Sequence, residues 1–387
     1  MRYFLIVLLA FPLFAANISK RYMVANNCIG CHKWVVDKWK TSWHSRSHYS
    51  KDPLYKATLQ YMSKKLHRPL EAIEIKCAQC HNPRMDVKRM SEDEIISRAV
   101  GIGDKKTDEA INAAYVKDGI NCIVCHNIKE IKESHDPDKR GYKSIVWGPN
   151  DTMVGPFADA KSPYHKTMQA DHFLHPNKLC FVCHYNGRNK YHKLVYETGM
   201  EYEHSGSTKQ CVECHMSEKR ERRLANIVVN GSLPKIRAVR DHLFMGARNG
   251  DILQKALDVK ASVSNGQLTI HLINRTPHRV PTGFAGRMIV IEAHFGNTLK
   301  KKMIKTEYHD RKGRITVPYL GKKKVFDNRI LPNEDRVVTF DIPSNHSQEI
   351  LIKIYYRLIN DDLEKKLKVK DPIFHKNYPI ANLKLKI

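Results

Sequence analysis

The chain has 387 residues, 42% of them hydrophobic, which is long enough for two domains with buried cores. Its formal net charge of +26 at pH 7 comes from basic residues that are dispersed along the sequence. This pattern argues against a nucleic-acid partner. It leaves acidic proteins, anionic small molecules and membrane surfaces as partners, or a basic surface that serves only solubility.

The first residues have the layout of a secretory signal peptide. One Arg precedes an apolar run that ends at the small pair Ala15-Ala16. This run is too short to cross a bilayer comfortably, which takes about 20 residues, and no later stretch is apolar for long enough. We predict that residues 1–16 are a signal peptide and that the mature protein lies in the periplasm. The alternative is an uncleaved N-terminal segment that anchors the protein to the membrane.

The motif C-x-x-C-H occurs five times between residues 28 and 215. Its two thiols form thioethers with a c-type haem, and the adjacent His binds the haem iron from one side. The attachment cysteines are Cys28, Cys31, Cys77, Cys80, Cys122, Cys125, Cys180, Cys183, Cys211 and Cys214, and the proximal histidines are His32, His81, His126, His184 and His215. We predict five covalently attached haem c groups, whose propionates would offset part of the positive charge.

Two other interpretations of the cysteines explain less. An all-cysteine zinc site uses two C-x-x-C pairs, and five pairs is an odd number. Disulfides would fit an exported chain with 10 Cys. Neither zinc nor disulfides explains why a His follows every pair.

Weak helical periodicity accompanies the haem motifs. Apolar spacing predicts helices at residues 33–48, 53–66, 91–102, 107–116 and 250–257. The first of these would place His44 and His48 on one helix face, one turn apart. Because haem packing replaces much of an ordinary core, we predict a pentahaem cytochrome c domain at residues 17–250, mostly α-helical and irregular.

From about residue 255 the sequence alternates between apolar and polar residues, as β-strands do. The alternating, β-branched stretches are LDVKASVS, GQLTIHLIN, RMIVIEAHF, RVVTFDIP and EILIKIYYRLI. The pair Asn265-Gly266 predicts a turn between the first two. We predict an antiparallel β-sandwich-like domain at residues 255–387. The alternative is a set of strands that pack on the haem region without a core of their own.

Several longer stretches extend the haem motifs. CIGCHKWVVDKWKTSWHS is a haem motif followed by W-x-x-S-x-H, DGINCIVCHNI places Gly three residues before a haem Cys, and YETGMEYEHS precedes the last motif. With GPFADAKSPYH, RDHLFMGARN and NRTPHRVPTGFAGR, these stretches resemble a multihaem cytochrome c family. That family includes the tetrahaem electron carrier of ammonia oxidation and hydroxylamine oxidoreductase. The resemblance covers residues 25–295 and implies that most irons have two His ligands.

The resemblance also implies which residues bind the irons from the distal side. The corresponding histidines are His44, His165, His242 and His278. A fifth distal ligand would come from His175, which we prefer, or from His172, His48 or His204. If no residue fills that position, one iron stays five-coordinate and open to a small molecule.

Two functions fit these features. The first is electron transfer between periplasmic or membrane-bound redox proteins through mostly bis-His haems, and the supply of histidines favours it. The second is an oxidoreductase that acts on a small nitrogen or sulfur compound at a five-coordinate haem, towards which basic residues would attract an anion. We expect a carrier in preference to a catalyst. A scaffold that docks a partner through its β-sandwich would be compatible with the first function.

The haem count is directly testable. We expect the intact mass of the purified exported protein to equal that of the mature chain plus five haems, because thioether bonds survive denaturation. Replacing Cys211 and Cys214 with Ser should lower the mass by one haem. A mass that matches the bare chain, or bound zinc instead of iron, would contradict the prediction.

Overall fold

The computed structural model describes residues 22–228 and 231–387, so the predicted signal peptide lies outside the described residues. The helices are α1 (Ile29–Lys40), α2 (Pro53–Leu66), α3 (Leu70–His81), α4 (Glu92–Ala99), α5 (Lys105–Asn112), α6 (Ala114–Lys117), α7 (Cys122–His126), α8 (Asp171–Leu174), α9 (Pro176–His184), α10 (Thr198–His204), α11 (Cys211–His215), α12 (Gly250–Ala256) and α13 (Asp361–Leu367). In this part of the chain, no helix has the length and apolar character that crossing a membrane requires.

The strands fall into two groups. Before residue 250 they form small two-stranded sheets: β1 (Ile128–Ile131) with β2 (Ile145–Trp147), β3 (Thr152–Gly155) with β4 (Lys166–Gln169), β5 (Gly187–Arg188) with β6 (Leu194–Tyr196), and β7 (Arg220–Arg223) with β8 (Ile236–Val239). The later strands are β9 (Leu257–Ser264), β10 (Gln267–Asn274), β11 (Met288–Phe295), β12 (Thr298–His309), β13 (Lys323–Asp327), β14 (Asp335–Asp341), β15 (Glu349–Arg357) and β16 (Tyr378–Lys386).

The later strands form an antiparallel β-sandwich, which confirms the predicted fold class. One sheet has the order β14-β10-β9 and the other has the order β13-β12-β11-β15-β16. Leu268, Ile270 and Leu272 of β10 are buried in one core with residues of β11 and β15 from the other sheet. Asn265 and Gly266 both have positive φ, as a tight turn between β9 and β10 requires.

Helix α2 joins the haem region to this sandwich. Its side chains Leu54, Ala57, Tyr61 and Met62 pack against the core that the strands form. The helix begins where the Asp52 carboxylate accepts hydrogen bonds from two backbone N–H groups and Pro53 occupies the first turn. The sandwich core is thus continuous with one helix of the haem region. The domain boundaries at residues 250 and 255 stay predictions.

The first predicted helix is wrong in its second half. Helix α1 ends at Lys40, and His44 begins a separate short turn. His44 and His48 therefore do not share a helix face. Ser45 explains the break, because its hydroxyl donates hydrogen bonds to the carbonyl groups of Lys40 and Ser42 and holds the chain in a bend.

A buried ion-pair network ties α10 to the sandwich. Arg329 lies 2.6 Å from Glu197, 3.0 Å from Glu201 and 2.9 Å from Asp327, and it is only 7% exposed. Glu197 and Glu201 belong to the haem region, whereas Asp327 ends β13. Because three carboxylates share the Arg329 guanidinium, removing it would leave their negative charges largely buried without their main positively charged partner.

We expect Arg329→Met to lower the free energy of unfolding by about 3 kcal/mol, since breaking a buried pair costs several times more than breaking an exposed one. Urea denaturation followed by circular dichroism measures this loss. The matched control is Arg314→Met, which breaks the ion pair with Asp310 through a side chain that is 58% exposed. Equal losses in the two variants would contradict the proposed role of the network.

Candidate haem-binding sites

Each C-x-x-C-H motif forms a helical turn. The motif begins α1, ends α3 and α9, and makes up the whole of α7 and α11. Cysteines three residues apart on a helix lie on the same face, so both thiols point to one side, as attachment to a single haem requires. The ten cysteines are all described, and none of them forms a disulfide.

The proximal imidazoles are oriented by hydrogen bonds to the backbone. Nδ1 of His32, His126 and His215 lies 2.5–2.7 Å from a carbonyl oxygen of Leu224, Val154 and Met245, respectively. A carbonyl accepts, so Nδ1 must carry the proton and Nε2 keeps its lone pair for a metal. Each of these partners comes from a part of the chain at least 28 residues away.

Three proximal histidines each face a predicted distal histidine. The ring centroids are 6.0 Å apart for His44 and His184, 6.2 Å for His126 and His242, and 6.4 Å for His215 and His278. Two imidazole nitrogens, each about 2 Å from one metal ion, put the ring centroids about 6 Å apart. The structure therefore brings together three pairs with the spacing that one iron between them needs.

Burial favours the neutral form of five of these rings, which is the form that binds metal. Burial lowers the pKa of His44 to about 3 and the pKa values of His184, His242 and His278 to about 4, and it lowers the pKa of His126 as well. A neutral imidazole is the form that coordinates a metal. The residues present thus fit the haem that the motifs imply.

The other two proximal histidines have different surroundings. His165 lies near His126 of the third site. Burial lowers the pKa of His126, and charge on His32 and on His165 lowers it further. Tyr55 stacks on His81 with 4.2 Å between ring centroids, and no histidine ring contacts His81 within residues 22–228 and 231–387.

The remaining histidines that sequence analysis considered are held in other ways. His175 is 62% exposed and lies 3.4 Å from Asp171. His48 is fully buried, but its two ring nitrogens contact Ser50 and the carbonyl of Ile111. His172 is 3% exposed, and its Nε2 has no hydrogen-bond partner among the described residues. None of these three rings faces a proximal histidine, so the fifth distal ligand stays a prediction.

Hydrogen bonds from other elements hold loop 278–282, which carries the predicted distal ligand His278. The Glu201 carboxylate accepts hydrogen bonds from the backbone N–H of Arg279 at 3.1 Å and from the Thr282 hydroxyl at 2.8 Å. The side-chain amide of Asn274 donates to the carbonyl of His278 at 2.9 Å. These contacts join two stretches that sequence analysis had quoted separately, YETGMEYEHS and NRTPHRVPTGFAGR.

Neighbouring attachment motifs contact each other through their cysteines or through the residues next to them. Cys28 and Cys122 pack against the same small cluster of buried residues. The Cys183 thiol lies 3.9 Å from the carbonyl oxygen of Cys80, and Ile128, two residues after the third motif, packs in one cluster with Cys183. The backbone N–H of Cys211 donates a hydrogen bond to the side chain of Asn177 in α9 at 2.7 Å. In order of sequence, the first site therefore contacts the third, the third contacts the fourth, and the fourth also contacts the second and the fifth. The fourth site is the junction of the five.

Two aromatic residues that sequence analysis did not single out complete this arrangement. Phe244 contacts His44 at 4.5 Å and His242 at 5.9 Å, so it lies between the distal ligands of the fourth and third sites. The second is Tyr55, on the face of His81. The spacing of His242 and Phe244 was a visible signal, because both lie in RDHLFMGARN, whereas nothing in the sequence marks Tyr55.

Comparison with known proteins agrees with this geometry. Residues 27–127 match the family described as cytochrome c554 and c-prime. The chain is also similar to the crystal structure of a penta-heme cytochrome c552 from Thermochromatium tepidum, with a TM-score of 0.73 and 18% identity over 95% of this chain and 100% of that one. This similarity shows that the two chains share a fold. No curated protein sequence matches this chain.

The ligand pairs can be tested one at a time. Replacing His242 or His278 with Ala should convert one low-spin iron to high spin and leave the haem count unchanged, because the thioether bonds remain. Electron paramagnetic resonance of the oxidised protein measures the change. His346→Ala is the control, since this exposed ring lies in the sandwich region and contacts the carbonyl of Ser347. An unaltered low-spin signal in both ligand variants would show that the assignment is wrong.

Proposed function

We propose that this protein is a periplasmic pentahaem cytochrome that transfers electrons through mostly bis-His haems. The observation that supports this most directly is the unbroken series of packing contacts and hydrogen bonds between the five attachment motifs and the residues next to them. Bound haem supplies one-electron redox chemistry. Contacts between neighbouring sites keep the distances between haems short, which favours passage of electrons over reaction at a single site.

The ligand pairs support the same function. Where two imidazoles face each other, both would hold the iron of one haem, and a substrate would then have no position to occupy. Burial lowers the pKa values of His44, His126, His184, His242 and His278, so these rings are in the neutral form that would bind the iron. Buried bis-His sites of this kind change oxidation state with little rearrangement, as an electron carrier requires.

A second function rests on the surroundings of His81. The ring that contacts His81 in the described chain belongs to Tyr55, which stacks on its face, and the Tyr55 hydroxyl is buried without a hydrogen-bond partner there. If no histidine completes this site, the second haem would be five-coordinate. The protein would then have one position for a small molecule such as nitrite or sulfite.

One pair of measurements separates the two functions. For a carrier, we expect the fully reduced protein to pass all its electrons to an oxidised one-electron mediator. It should show no steady-state turnover with nitrite or sulfite when an electron donor is supplied. Sustained consumption of either anion, together with a high-spin signal that the anion alters, would favour the second function.

A further inference from the structure

We propose that the hairpin formed by β7 and β8 is the docking surface for an acidic redox protein that exchanges electrons at the first haem site. This inference rests on the proposed electron-transfer function and adds to it a location and a class of partner.

The hairpin is fixed directly to the first attachment motif. The Nδ1 atom of the proximal ligand His32 lies 2.6 Å from the carbonyl oxygen of Leu224, which follows β7. Two residues further on, the backbone N–H of Asn226 donates to the carbonyl of Cys31 at 3.1 Å. A protein bound to the hairpin would therefore lie next to this motif.

The same segment carries a high density of positive charge. Residues 219–240 contain seven Lys or Arg residues and one Glu. Lys235 and Arg237 share the carboxylate of Asp159, each at 2.8 Å. The other five cations have no carboxylate within ion-pair distance in the described chain, and they are Lys219, Arg220, Arg222, Arg223 and Arg240.

These cations are arranged as in a protein-binding surface. Lys219, Arg220 and Arg223 are exposed, and Arg222 lies over the ring of Trp34 at 5.1 Å. Ile236 pairs with Arg223 across the hairpin and is 53% exposed. An exposed apolar side chain among unpaired cations suits a partner with acidic residues around an apolar contact.

The position of the first site gives this surface a role. In the series of contacts described above, the first site joins the series through the third, so it lies at one end of that series. A partner at an end can deliver electrons to every other site in turn. A second copy of this chain is a poor occupant, because two surfaces of the same positive charge repel each other. Other lysines, such as Lys301, which pairs with Glu292, lie on the sandwich strands away from any attachment motif.

Charge reversal tests the proposal. We expect Arg220→Glu with Arg223→Glu to slow reduction by a pre-reduced, acidic plant-type ferredoxin about tenfold or more at low ionic strength, measured by stopped flow. The difference from wild type should shrink at physiological salt, where exposed charges are screened over about 8 Å. The neutral variant, Arg220→Gln with Arg223→Gln, should have an intermediate rate.

The matched control is Lys260→Glu with Lys386→Glu, which makes the same change in net charge at exposed positions of β9 and β16. Equal slowing in the control and the hairpin variant would overturn the proposal, because only net charge would then matter. Loss of haem or of low-spin signal in the hairpin variants would also overturn it, since the arginines would then serve haem binding.

Two further outcomes are distinguishable. If wild-type protein accepts electrons neither from the ferredoxin nor from a neutral mediator, the proposed electron-transfer function itself fails. If the hairpin variants lose sedimentation with vesicles that contain anionic lipid but react with the ferredoxin at the wild-type rate, the hairpin binds membranes and the docking proposal is wrong.

Discussion

The arrangement of the haem region depends on pairs of neutral imidazoles that face each other at about 6 Å. Such a pair needs two things that a loop alone does not supply. The rings must be uncharged, which burial favours, and Nε2 must be free for a metal, which a backbone carbonyl close to Nδ1 favours for His126, His215 and His278. The second condition brings distant parts of the chain together, as when the carbonyl of Met245 fixes His215.

This constraint also gives the β-sandwich a structural role. The predicted distal ligand His278 lies in the loop between β10 and β11, and that loop is held by Glu201 of α10 and by Asn274 of β10. Arg329 then ties Glu201 to Asp327 of the sandwich. The sandwich thus holds the loop that carries His278. The packing of α2 against the sandwich core also holds the haem region against the sandwich.

Features with a local chemical rule were predictable from the sequence. The motif C-x-x-C-H marks the attachment sites by itself, and alternation located β9, β10, β11, β14 and β15 within one or two residues of their bounds. Helices such as α3 and α9 were missed, because their apolar residues follow no simple period. In α3 the buried residues include the adjacent Ile73, Glu74 and Ile75. The resemblance to a known family indicated His44, His242 and His278, whose pairing depends on contacts over more than 60 residues of sequence. His175 was preferred from its position before the fourth motif, and sequence could not reveal that its ring is exposed beside Asp171.

The order of the paired ligands along the chain has a consequence for assembly. His44 precedes its partner His184 in the chain. His242 and His278 instead follow their partners, His126 and His215, by at least 63 residues. If the chain is exported from its N-terminus, His44 is already outside the membrane when the fourth attachment motif emerges to take up its haem. The irons of the third and fifth haems would each lack their second ligand until the segment that carries His242 or His278 emerged. Maturation of this chain would therefore include a stage in which two irons each have an open position. A chaperone, or a sandwich that folds quickly, would have to protect these irons from other ligands.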